Sequence, residues 1–163
     1  MTLFHTLVSI TALLSGGVIF FFTKGTALHR KIGLTYVLMM ALSLSTSFFI
    51  YEMFEGFGPF HVMSFISILT ISIGMYFPLF GRNVSGWPIH HYFWMSYSYV
   101  GLWMALMSHF IEYFPPGWSG FLKACVAWGV PYLLGSAVIF AKKERMIDEY
   151  TDNKPREKSI SSQ

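Results

Sequence analysis

Six histidines, at positions 5, 29, 61, 90, 91 and 109, are the residues of this 163-residue chain best suited to chemistry. Neutral imidazole is the commonest protein ligand for metals, and its charge changes near neutral pH. Two imidazoles can hold the two axial positions of a haem iron. Three imidazoles with water or a carboxylate make a catalytic zinc site. Glu52, Glu55 and Glu112 are the carboxylates near these histidines in sequence. Serine and cysteine nucleophile motifs, ATPase motifs and nucleic-acid-binding motifs are absent. The single cysteine, Cys125, can form no intrachain disulfide.

The elements that must position the histidines are apolar. The chain is 54% hydrophobic and 19% aromatic, with only 12% charged residues, where a soluble domain carries about 25%. Apolar stretches run over residues 3–23, 32–53, 60–80, 92–114 and 119–141. Each is near the ~20 residues a helix needs to cross about 30 Å of hydrocarbon. Backbone groups cannot stay unpaired in lipid, so such stretches form helices. The expected fold is an all-α integral membrane bundle of about five transmembrane helices, followed by a charged tail over residues 142–163. Five such helices in a soluble core would leave no polar faces for water. The first stretch has no basic n-region and no small-residue cleavage site, so it reads as a retained helix.

Charge sets the expected orientation. The loops at 24–31 and 81–91 and the C-terminal tail share one side and hold ten of the eleven basic residues; Lys123 is alone on the other. Basic residues collect on the cytoplasmic side. The N-terminus is therefore expected outside and the C-terminus in the cytoplasm, in a multi-pass protein of the cell membrane, a bacterial plasma membrane. Pro131 is expected to kink the fifth helix. The tail is expected to extend that helix and fray. Its acidic residues dilute any dedicated attraction to anionic lipid.

Short loops make neighbouring helices antiparallel. His5, His61 and His109 then share the outer level, and His29 shares the inner one with His90 or His91. The helical period places Ser9, Ala12, Gly16 and Ile19 on the face of His5. It places Gly33, Tyr36, Met40, Ser43 and Ser47 on the face of His29. Met95, Ser98, Leu102 and Ala105 lie between His91 and His109, which are five turns apart. Small and polar residues mark helix contacts in membranes, so these faces are expected to point into the bundle. A lone histidine at a helix end needs no special role. One on each of four helices, at two matched depths, is less easily accidental.

The run His29-Arg30-Lys31-Ile32-Gly33-Leu34-Thr35-Tyr36 resembles the H-R-x-x-G-x-x-Y signature of a bacterial membrane family catalogued as domain of unknown function 2306. The segment His91-Tyr92-Phe93-Trp94-Met95-Ser96-Tyr97 resembles its second signature, and Gly58-Pro59-Phe60-His61 and His5 fit as well. This resemblance spans residues 5–116 and leaves the fifth helix outside. It implies family membership and no activity.

Three functional readings stand. In the first, His5 and His61 hold an outer b-type haem and His29 and His91 an inner one, across the diagonals of an up-down bundle, for transmembrane electron transfer. Gly16 and Gly33 would leave room for a ring, and Arg30 and Lys31 would pair propionates. The arrangement is similar to that of ascorbate-reducible two-haem b-type cytochromes. Two levels 18 residues apart, about 27 Å, are far apart for direct transfer, and His109 is left without a role. In the second, His5, His61 and His109 with Glu112 or Glu52 hold zinc, implying hydrolysis of a membrane substrate. Copper is the variant, with Met63 and Met107 beside two of these histidines. In the third, the chain is a structural or partner subunit, or a homo-oligomer, with no cofactor. In all three the bilayer is its environment and nucleic acid is no partner.

Overall fold

The computed structural model describes residues 2–50, 56 and 58–160, with side chains to residue 148. Five long helices carry the described chain: α1 (Thr2–Val18), α2 (Ala27–Ser47), α3 (Pro59–Leu79), α4 (Trp87–Ser108) and α5 (Gly120–Ile160). Single turns of 3-10 helix follow α1 at Ile19–Phe21 and α4 at Ile111–Tyr113. The described residues contain no strand.

The helix ends differ from the apolar stretches in α1, α2, α4 and α5. The polar first turn of α2 lies outside the apolar stretch that starts at Ile32, yet it is helical. Thr26 starts it, its hydroxyl accepting the His29 N–H at 3.2 Å, as an N-cap does. α4 likewise opens at Trp87, with Pro88 in its first turn, where proline's missing N–H does no harm. At their far ends α2 stops at Ser47 and α4 at Ser108, short of the expected 53 and 114. α5 instead continues far beyond residue 141. Its 41 residues make a rod about 60 Å long at 1.5 Å per residue. The helix runs on through Pro131 and the charged segment.

The packing follows from polarity. α1 packs on α2, α2 on α3, α3 on α4, and α4 back on α1. The ring is closed, so α1 faces α3 across one diagonal and α2 faces α4 across the other, as the up-down reading expects. α5 packs on the outside of α4. Ala12, Tyr36, Met40, Leu44, Ile71 and Leu102 form the centre. Large apolar side chains such as Leu14, Leu69 and Leu133 remain more than half exposed. In water that belt would be a liability; in a bilayer it is the lipid-facing surface. Residues Thr2–Ile19, Pro59–Leu79 and Gly120–Asp148 are long and apolar enough to span a membrane. α2 and α4 are more polar because they turn Tyr36, Ser43, Thr46, Ser96, Ser98 and Ser108 into the interior. The chain is thus an all-helical membrane bundle.

Polar side chains join the helices. Ser9 Oγ lies 2.6 Å from Ser43 Oγ, and Ser47 Oγ 2.8 Å from Ser64 Oγ. Tyr99 donates to the Leu13 carbonyl at 3.1 Å. Across the α2–α4 diagonal, Tyr36 Oη and Ser98 Oγ meet at 2.8 Å, fully buried. Such bonds average about 0.6 kcal/mol in membranes and reach about 1.7.

Candidate functional site

The N-terminal ends of α2 and α4 bring His29 and His91 to one end of the bundle. Tyr36 lies seven residues after His29, and Ser98 seven after His91. Seven residues are nearly two turns, about 10 Å. Each histidine therefore projects from the same helix face as a partner in the Tyr36–Ser98 bond. α2 and α4 run in the same direction, so both histidines stand at one depth on the same diagonal.

His91 Nδ1 lies 2.7 Å from the Gly74 carbonyl of α3. A carbonyl only accepts, so Nδ1 carries the proton and Nε2 presents a lone pair. This is how a backbone carbonyl fixes the tautomer of a ligating histidine. Gly74 makes the approach possible: a Cβ there would stand 2.7 Å from the Met95 sulfur and 3.3 Å from Trp94 Cβ. His29 is half-buried, and its Nδ1 is buried with no hydrogen-bond partner among the described residues. Burial, then the charges of Lys24, His91 and Arg30, push its pKa down from 6.5 to about 4. His29 is therefore neutral at pH 7, the state a metal ligand requires. Lys24 is anchored beside it, donating to the Ile19 carbonyl at 3.0 Å with its ammonium 5.7 Å from the Phe20 ring centre. Arg30 donates to the Gly25 carbonyl at 2.7 Å. His90 turns away, exposed and stacked on Phe77 at 5.1 Å.

At the opposite end the candidates take separate roles. His5 Nδ1 lies 2.9 Å from Thr46 Oγ1. The threonine hydrogen points to the Leu42 or Ser43 carbonyl, each 2.9 Å away, so His5 donates and its Nε2 keeps a lone pair. His61 does the reverse. Its Nδ1 accepts the Gly58 N–H at 3.1 Å, while its own N–H donates to the Gly58 carbonyl at 3.0 Å. This reciprocal pair caps α3 in the manner of a capping box. A neutral His61 therefore carries its proton on Nε2 and presents no lone pair for ligation. His109 is the exposed C-cap of α4, within electrostatic reach of His5. Glu112 is exposed on the following 3-10 turn. Glu52 lies outside the described residues. Among the described residues no three His, Cys, Asp or Glu side chains gather as a metal set.

The glycines differ from expectation. A Cβ on Gly16 would come within 2.6 Å of the Tyr99 ring and 2.9 Å of the Tyr36 ring. Gly16 therefore makes room for two tyrosines. At Gly33 the side chain of Ile19 stands 3.2 Å from an added Cβ. The Gly74 carbonyl was not legible as part of the site, because only the fold brings a backbone group to His91. The Tyr36–Ser98 bond was legible in part: both residues lie on the rows expected to face inward.

No curated protein and no solved structure matches the chain. The family described as predicted membrane protein (DUF2306) matches residues 2–138. The match extends through most of the membrane-spanning part of α5, which the signature motifs alone left outside. The chain belongs to this family of predicted membrane proteins.

Proposed function

We propose that this protein carries one histidine-ligated redox cofactor, a b-type haem, held by His29 and His91. The observation that carries the reading is the pair of imidazoles at one depth on one diagonal, one with a free Nε2 and the other with a buried, unpartnered Nδ1. Two protein ligands suit a haem iron, whose other four come from the porphyrin. A bare zinc ion would need three or four. When bound, the haem supplies one-electron chemistry. The chain's own part is to keep His29 neutral and to fix the His91 tautomer through Gly74, and Lys24 and Arg30 would be the cations available to a ring's acidic substituents. The cap role of His61 weighs against a second haem at the other end, so the reading holds one centre and not two.

The distribution of basic residues supports an orientation with this centre on the cytoplasmic side of a cell membrane. A visible spectrum with metal analysis of the purified protein tests the reading. A Soret band with reducible α-bands is expected, lost in His29→Ala and in His91→Ala. A colourless sample with stoichiometric zinc or copper, lost in His5→Ala and His109→Ala, would replace haem by the metal-ion reading. A colourless, metal-free protein after expression with haem supplied would leave a structural or partner subunit.

A further inference from the structure

α3 and α5 pack on α4 from either side. The α4 face between them floors an open cleft. One part is a cavity of about 280 Å3 with Gly101, Ala105 and Ser108 on its floor and Met63 and Trp128 on its walls. A second, of about 370 Å3, holds His90, Phe93 and Trp94. Thr70 and Tyr97 line both, so the two run on from each other. From His90 to Ser108 the floor is 18 residues long, about 27 Å, close to the ~30 Å thickness of the hydrocarbon layer.

The two ends differ. At one, Phe60 of α3 and Trp128 of α5 stand edge to face, their ring centres 6.3 Å apart. At the other, the exposed His90 stacks on Phe77, and Arg82 is pinned nearby. Arg82 Nε donates to the Pro78 carbonyl at 2.7 Å, and the guanidinium carbon lies 6.0 Å from the Trp87 ring centre. Between the ends the lining is apolar in effect. Thr70, Tyr97, Ser98 and Ser108 all direct their hydroxyl hydrogens to partners inside the protein. An occupant of the body therefore meets few open polar groups, and the loop that carries Arg82 leads from α3 to the His90 end of α4.

We propose that this cleft binds one anionic long-chain membrane lipid, its chain along α4 and its head at Arg82 and His90. The cleft is long enough to take a chain that starts at the His90 end and lies along α4, and the charge near that mouth complements an anionic head. Arg82 is held by its Nε alone, which leaves its terminal nitrogens to bind a phosphate oxygen pair. This site lies between α3, α4 and α5 and is independent of the His29–His91 reading.

The full chain in detergent, incubated with phosphatidylglycerol or with phosphatidylcholine of the same chains, tests the proposal by native mass spectrometry. One phosphatidylglycerol per chain should be retained, at least fivefold above phosphatidylcholine. Gly101→Leu with Ala105→Leu should abolish retention by filling the floor. A Cβ at Gly101 meets nothing nearer than Ser67 Oγ at 3.6 Å, and Ala105 is exposed. If the pair fails to fold, Ala105→Leu alone carries the test, with melting temperature as the control. Arg82→Gln with His90→Gln should bring the two lipids to equal retention. Equal retention by the wild type, unchanged retention in the filled variant, or unchanged selectivity in the Arg82 and His90 variant would each overturn the proposal. A wild-type dimer lost on filling the cleft would assign the surface to a second copy instead, and would overturn it equally.

Discussion

Tyr36 Oη and Ser98 Oγ meet at 2.8 Å in the centre of the bundle, and each residue lies seven positions after a histidine. The bond ties α2 to α4 across the diagonal that the candidate site occupies. It sets the floor of the site two helical turns below His29 and His91. It also fixes the rotation of both helices, and with it the direction of both imidazoles.

Tyr36→Phe keeps the ring and removes only the hydroxyl. Ser98 still donates to the Met95 carbonyl at 2.7 Å, so no buried donor is orphaned. A loss of about 0.6–1.7 kcal/mol is expected, the range for interhelical bonds in membranes. Tyr36→Ala also removes the ring from the core and should cost about 3–5 kcal/mol. Reversible unfolding in mixed micelles measures both. Equal losses for the two variants would show that the ring carries nothing.

Gly16 should be intolerant where Gly129 is tolerant. A Cβ on Gly16 lands 2.6–2.9 Å from the rings of Tyr99 and Tyr36, while one on Gly129 meets nothing within 4 Å. The rings sit in a closed core, so overpacking of about 1–3 kcal/mol is expected for Gly16→Ala. Gly129→Ala should be neutral or stabilising. The same unfolding assay decides, and a neutral Gly16→Ala would mean that α1 can move away from α4.

The stability of the protein should fall in mild acid, with His29 as one cause. Its pKa is about 4 in the folded chain against 6.5 unfolded. Between those values the unfolded state binds the extra proton. Stability from this group is therefore complete above about pH 6.5 and is lost as pH falls through 4. His29 is half exposed, so water screens part of the effect. Melting curves from pH 7.5 to 4 should show a smaller drop for His29→Gln than for the wild type. Parallel curves would remove His29 from the cause.

Much of this architecture was legible in the sequence, and the parts that were not share a cause. Hydropathy locates α3 within a residue because both of its ends are marked by proline or a polar turn. It misses the starts of α2 and α4 because polar residues, 29–31 in one and 90–91 in the other, interrupt the apolar run close to each start. Those polar residues include His29 and His91. Inward faces were read from the helical period because it follows from backbone geometry alone. Tautomers were not, since they depend on a carbonyl or N–H brought up by packing. His61 and His91 look alike in sequence, yet Gly58 makes one an acceptor at Nδ1 and Gly74 makes the other a donor.

Topology is open to direct test. Ten basic residues lie on the side of the 24–31 and 81–91 loops and the tail, against Lys123 alone on the other. A reporter fused after Lys143 should be active only in the cytoplasm, and one at the N-terminus only outside. The reverse pattern would place His29 and His91 at the outer face.

His61 separates the one-centre from the two-centre haem reading. Its side chain closes a reciprocal bond with Gly58 at the start of α3, and it is only 4% exposed. His61→Asn offers a shorter side-chain acceptor, and His61→Ala leaves the Gly58 N–H open. Loss of such a cap costs about 0.5–2 kcal/mol, so His61→Ala should lower the unfolding midpoint and His61→Asn should recover part of it. Neither change should alter the position or intensity of a Soret band per protein, because the one-centre reading holds the iron at His29 and His91. In the two-centre reading His61→Ala would halve the haem content and His61→Asn would not restore it. Haem content and unfolding midpoint, measured on the same preparations, distinguish the cap from the ligand.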